Sequence, residues 1–171
     1  PIINIIFERT LGMSVIQSTP KFTGFIRRLV EDGVVDATSM QNAIINAKKA
    51  NQDIIPYLTQ NLKVSSLTIA ETIALEFGEP IFDLSVYNTD MLAKDAVDEK
   101  LIIKHRVLPI FNRGNLLYVA TSNPTNIEAI DAIRFNSKMN VESVIVEFDK
   151  LDKLIENLFA DTGNFEFSDD E

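Results

Sequence analysis

The chain has 171 residues, 46% of them apolar, which is enough for a substantial core in one domain or two small ones. It contains no cysteine, so disulfides, thiolate metal sites and cysteine nucleophiles are excluded together. The formal net charge is −9, and more than half of it comes from five acidic residues in the last eleven, DTGNFEFSDDE, so no basic face for nucleic acid is indicated.

Residues 1–20 read as an N-terminal arm or extension. An apolar start, Pro1 to Phe7, precedes a polar stretch through Pro20, and Met13-Ser14 reads as a native start after an upstream extension of twelve residues. No run approaches the roughly 18–20 apolar residues of a membrane span, and no leader with a basic n-region is visible. The expectation is a soluble, cytosolic chain.

Residues 21–78 are patterned as helices. Phe22, Phe25, Ile26, Leu29 and Val30 recur at spacings of three and four, and Gly33 fits the position just past a helix end. Asp36 or Thr38 opens a second helix with Met40, Ala43, Ile44 and Ala47 on its apolar face. Ile54, Ile55, Tyr57, Leu58 and Leu62 make a third, with Pro56 in its first turn, and Ser65 or Ser66 caps a fourth, carrying Ile69, Ala70, Ile73, Ala74 and Phe77 to Gly78. These are two helix–turn–helix units, Phe22–Lys49 and Asp53–Phe77. Gly33 aligns with Leu62, Met40 with Ile69 and Ile44 with Ile73, a constant offset of 29. Neither unit can bury its own apolar face, so the two are expected to pack together.

Residues 79–160 change style. Glu79 to Leu84 reads as a short strand, Asn88 or Thr89 starts a loop or short helix, and residues 98–105 read as a short helix with an acidic start and a basic end. The stretch 107–135, VLPIFNRGNLLYVATSNPTNIEAIDAIRF, reads as strand, turn, strand, corner and helix. Gly114 supplies the positive φ that a hairpin needs, and Asn123-Pro124 ends the second strand. Asn126 caps a helix with Ile127, Ile130, Ile133 and Phe135 mostly on one face. Val141, Val144, Ile145, Val146 and Phe148 make a further strand, and Leu151, Leu154, Ile155, Leu158 and Phe159 a final amphipathic helix. The fold class is α+β: a pair of helix–turn–helix units, then a small β-α-β-β-α-β-α sandwich with helices on one face of the sheet. Residues 161–171 read as an acidic linker or tail.

The search for chemistry is mostly negative. There is no G-x-x-x-x-G-K-S/T and no G-x-G-x-x-G, and only six glycines are available to cradle a phosphate. The single histidine, His105, has no metal-ligand spacing around it, and no serine sits in a G-x-S-x-G elbow. No catalytic, cofactor or metal residue is assigned, and the chain reads as a non-enzyme. Two surface features remain. Arg27 and Arg28 stand opposite the apolar stripe of the first helix, either as an anion or partner contact or as i,i+4 pairs with Glu31 and Asp32. Arg113 sits at the hairpin tip, either a plain turn residue or a docking point.

GFIRRLVEDGVVD, EFGEPIFDLSVYN and, above all, the 107–135 block resemble the N-terminal domain of type IV pilus assembly (extension) ATPases, within the secretion-ATPase superfamily (type II secretion ATPase N-terminal, or MshEN-like). The resemblance runs over residues 22–160. It implies a non-catalytic regulatory and protein-interaction domain that precedes a hexameric motor carrying the P-loop, ATP and Mg. It also implies partners, a PilZ-type adaptor protein and inner-membrane platform proteins of the pilus, and a cytoplasmic place at the inner membrane, with twitching motility as the process. No nucleic acid and no membrane span are implied. On this reading Phe25, Arg27, Arg28, Leu29 and Arg113 are the candidate partner contacts.

A related group in that superfamily binds cyclic di-GMP through two repeats resembling R-L-G-x-x-L-x-x-x-G and two aliphatic residues, each ending in a helix with a Gln. The first R-L-G falls here on Gly24, Phe25 and Ile26, and the second on Asp53, Ile54 and Ile55. Gly33, Val34 and Val35 are kept, but Ala47 and Glu76 stand at the Gln positions and Leu62 replaces the second glycine. The framework is retained while the ligand-facing Arg, Gly and Gln are lost, which argues against direct dinucleotide binding. A cyclic di-GMP sensor with a degenerate motif is the alternative.

Overall fold

The structure is a computed structural model that describes residues 20–160; nearly all of the expected N-terminal arm and the whole acidic tail lie outside the described residues. The helical part comprises α1 (Gly24–Glu31), α2 (Ala37–Lys49), α3 (Ile54–Asn61) and α4 (Ser66–Phe77). Side chains cap three of the four. Asp36 accepts from the Ser39 amide, Asp53 from Ile55 and Ser65 from Thr68, each satisfying a first-turn N–H that has no partner within the helix. Pro56 is the third residue of α3, where its missing donor costs nothing. Gly78 ends α4 at φ 68, a left-handed conformation that a Cβ would strain.

The internal repeat holds at the positions that bury. Leu29 and Leu58 are both fully buried, as are Met40 and Ile69. The Val35 amide donates to the Leu29 carbonyl as the Val64 amide does to Leu58. The caps Asp36 and Ser65 keep the offset of 29. The pairing of Gly33 with Leu62 does not hold. Gly33 has φ 72, but the matching left-handed residue of the second unit is Lys63, φ 56, one place later. At this offset α3 runs one residue further than α1, so the second connection is one residue shorter and its left-handed residue comes one place later. Ile44 also departs from Ile73, being 37% exposed where Ile73 is fully buried. Phe77 is exposed too, at the last position of α4.

The α/β part comprises α5 (Glu99–His105), β1 (Leu108–Arg113), β2 (Leu116–Thr121), α6 (Ile127–Ser137), β3 (Asn140–Ile145) and α7 (Phe148–Leu158). β1 and β2 form an antiparallel hairpin around Gly114 (φ 58), and β3 joins β2 in parallel, giving the order β1-β2-β3. A bulge falls at Ile110, and the Tyr87 hydroxyl donates to its carbonyl at 2.7 Å. The fold is α+β, as expected.

Three expectations are corrected. The strand expected at Glu79–Leu84 is a single parallel bridge, Ile81 with Ile145, followed by a 3-10 turn over Leu84–Val86. The Asp83 carboxylate accepts from both the amide and the hydroxyl of Ser85, which turns the chain before a ladder can extend. β3 ends at Ile145, so Val146 lies past it and Phe148 belongs to α7. In α6, Ala129, Ile130 and Ile133 are buried, while Ile127 and Phe135 are exposed. At about 100° per residue Phe135 falls nearly opposite the buried stripe.

Two buried clusters result. One lies against the sheet and includes Ile102, Leu108, Leu117, Val119, Ile133 and Leu151. The other lies among the helices and includes Phe25, Leu29, Met40, Ile55, Leu58 and Ile73. Ile145 of β3 and Phe148 of α7 belong to the helical cluster although Val146 between them belongs to the other. This alternation fastens the two parts together.

Candidate functional site

The five candidate contact residues do not form one site. Phe25 is 3% exposed and Leu29 fully buried, so both are core side chains of the helical cluster and not contact residues. The stripe that makes α1 amphipathic is the stripe it buries. Arg27 and Arg28 do reach the surface. Arg27 pairs with Glu31 at 3.0 Å, one turn along the helix, as its spacing indicates. Arg28 does not pair with Asp32; its Nε lies 3.4 Å from Glu76 on α4, so it crosslinks two helices. Arg113 is exposed at the end of β1, in the other part of the molecule.

The larger concavity was not foreseen. A groove of about 900 Å³ runs between the helical and α/β parts, lined by the end of α2, by α3, the end of α5, the corner after β2, the start of α6 and one side of α7. Its walls carry Lys48, Lys104, His105 and Arg106 against Asp53, Glu128, Asp152 and Glu156, so the charges are mixed. Arg106 adopts φ 50 at the end of α5 and reaches Asp152 at 3.3 Å. Burial pushes the Asp152 carboxyl upward, and the Arg106 guanidinium works against that.

His105 is shifted in the opposite direction. Burial holds its imidazole below the ordinary 6.5, Lys104 adds repulsion and Glu128 opposes it. A lowered histidine pKa means that the unfolded chain binds the proton more tightly. The stability contribution is therefore complete above the unfolded value and is lost as pH falls through 6.5 toward the folded value. Imidazole carbon-bound proton shifts followed by NMR should give a His105 midpoint below 6.5, and a midpoint above it would contradict this packing.

At one end of the groove Asp53 is held by two asparagines. Asn123 Nδ2 donates to both carboxylate oxygens at 3.1 and 3.0 Å, and Asn126 Nδ2 donates to one of them at 3.1 Å. Asn123 is buried and Asn126 caps α6 through Ala129. The sequence marks both asparagines as corner and cap, but nothing in it reveals a shared partner 70 and more residues earlier.

The positions aligned with the dinucleotide repeats lie partly here. Ala47 and Asp53 line the groove, and Glu76 is engaged by Arg28 outside the groove lining. An anionic ligand would meet a carboxylate, already saturated by neutral amides, where the motif has a guanidinium. Among the described residues no group of three or more His, Cys, Asp or Glu is arranged to hold a metal ion. Among the same residues no helix is long and apolar enough to cross a membrane.

Residues 77–164 match the MshEN domain family. The Type IV pilus assembly ATPase PilB of Acinetobacter baylyi is 57% identical over 159 residues, covering 93% of this chain and 28% of that protein. The Type IV pilus assembly ATPase PilB of Pseudomonas aeruginosa is 34% identical over 139 residues, covering 81% of this chain and 25% of its own length. The chain thus spans about a quarter of the length of these relatives. Among solved structures, the N-terminal domain of XpsE superposes with a TM-score of 0.61 at 18% identity, covering 80% of this chain and 97% of that one. MshE with cdg superposes with a TM-score of 0.57 at 22% identity, covering 80% and 99%. At these identities the likeness is one of fold.

Proposed function

The chain belongs to the MshEN domain family, and from that premise we propose that it is a non-catalytic regulatory and protein-interaction domain of a type IV pilus assembly (extension) ATPase. Its role on this reading is to dock a PilZ-type adaptor, or inner-membrane platform proteins of the pilus, to a motor whose P-loop, ATP and Mg lie in another part of the parent. The parent is a homohexamer that works in the cytoplasm at the inner membrane. The observation that carries this reading is the 57% identity to a PilB across 93% of the chain, which takes in both the helical and the α/β parts.

The geometry supports docking through the outer face of α1. Arg27 is exposed and Arg28 half-exposed there, each tied to a carboxylate by a pair that is loose enough to be exchanged for a partner's acid. Arg28→Glu should weaken adaptor capture at least tenfold, measured by titration calorimetry, while leaving the unfolding midpoint close to that of the parent chain. Undiminished binding by that variant would remove α1 from the contact surface.

A second reading, a cyclic di-GMP sensor with a degenerate motif, is favoured by the fold match to MshE with cdg. Asp53, Ala47 and Glu76 weigh against it. The first is already saturated by amides, the second has no polar atom to offer, and the third is paired with Arg28. Labelled cyclic di-GMP separates the two readings.

A further inference from the structure

We infer that the Asp53 carboxylate is a latch that makes the helical and α/β parts move as one body. The chain connection between them is slight: the exposed Glu79 and Pro80, followed by a single hydrogen-bonded bridge of Ile81 with Ile145. Asp53, by contrast, spans the two parts with three hydrogen bonds of 3.0–3.1 Å to residues 70 and 73 positions away.

The partners are oriented before they meet it. Asn123 Oδ1 accepts from the amide of Thr125 at 3.1 Å and from its hydroxyl at 2.5 Å, which leaves the Asn123 amide group facing Asp53. Asn126 Oδ1 accepts from the Ala129 amide at 3.2 Å, which turns its amide group the same way. Asp53 Oδ1 also accepts from Ile55, so a single carboxylate holds the start of α3, the Asn-Pro corner and the start of α6. Charge-assisted bonds to partners already fixed by other bonds lose little side-chain freedom on forming. The apolar contacts of Ile145 and Phe148 with the helical cluster complete the junction. This rigidity is independent of which partner docks, and it lets a load applied to α1 be felt in the sheet.

The absence of native cysteine permits a direct test. Spin labels on Lys49→Cys, at the end of α2, and Ile127→Cys, at the start of α6, report the distance across the groove. The intact latch gives one narrow distance peak. Asp53→Ser retains a good cap for α3 but is too short to hold both amides, and it should replace that peak with a broad distribution reaching longer distances. Asn126→Ser keeps a cap on α6 and removes one amide, and should broaden the peak less. The same narrow peak in both variants, with the circular dichroism of the folded chain, would overturn the inference. If Asp53→Ser does not fold, an unchanged peak in Asn126→Ser alone overturns it and a broadened one supports it.

Discussion

Leu29→Ala is expected to destabilise the chain by about 2–5 kcal/mol, the usual cost of truncating a closely packed aliphatic residue and leaving a cavity. Leu29 is fully buried among Phe25, Met40, Leu58 and Ile73, and the helices around it are fixed from several sides, so little collapse into the void is possible. In addition, its carbonyl accepts the amides of Val34 and Val35, so disturbance of this position reaches the turn into α2. Urea unfolding should show a lower midpoint with an unchanged slope. The neighbouring Arg28→Glu changes only a half-exposed ion pair, worth at most about 1 kcal/mol. On the proposed reading two adjacent residues separate the roles of α1: one substitution should lower stability, the other should lower docking. A loss below about 1 kcal/mol in Leu29→Ala would show that the helical cluster is not packed as described.

Ile145→Ala should be comparably severe, about 2–5 kcal/mol, and should act on both parts at once. Ile145 is 1% exposed and is the last residue of β3, yet its side chain belongs to the helical cluster. Its backbone pairs with Thr121 and forms the bridge to Ile81, and its carbonyl accepts the Phe82 amide at 2.8 Å. Removing three carbons here opens a void at the junction, whereas Ile133→Ala opens one inside the sheet cluster alone. Amide exchange distinguishes them. Ile145→Ala should raise exchange in α4 as well as in β3, while Ile133→Ala should leave α4 protected. Equal protection of α4 in both variants would contradict the junction.

Much of the helical part is legible because its signals are local. Asp36 and Ser65 announce helix starts through side chains that satisfy backbone donors three residues on, and Gly78 announces an end through its φ. The hairpin is legible for the same reason, since Gly114 and the apolar run Leu116–Ala120 are features of a few consecutive residues. What failed was what depends on distant partners. Ile81–Phe82 is as apolar as a strand, but whether it pairs is settled by Asp83 turning the chain away after one bridge. Phe135 and Ile127 look like core residues on an apolar helix until the direction of the neighbouring sheet selects the stripe Ala129–Ile133.

The candidate surface shows the same division. Phe25 and Leu29 lie close to Arg27 and Arg28 in sequence, but the helix sends the two pairs to different faces. The Arg27–Glu31 pair follows from spacing alone, while the Arg28–Glu76 pair needs α4 to lie against α1. The groove was invisible for the strongest version of this reason. Its walls come from six elements, and Asp53, which closes it, meets Asn123 and Asn126 only once the chain folds. Mixed charge on those walls also means that no run of basic residues marked them in advance.

The most direct measurement is a pair of titrations on one preparation of the chain, with a PilZ-type adaptor in one cell and cyclic di-GMP in the other. An interaction domain with the dinucleotide positions lost gives saturable heat with the adaptor and none above dilution with the nucleotide. Micromolar or tighter binding of cyclic di-GMP together with no adaptor binding would contradict it and make the groove a ligand site.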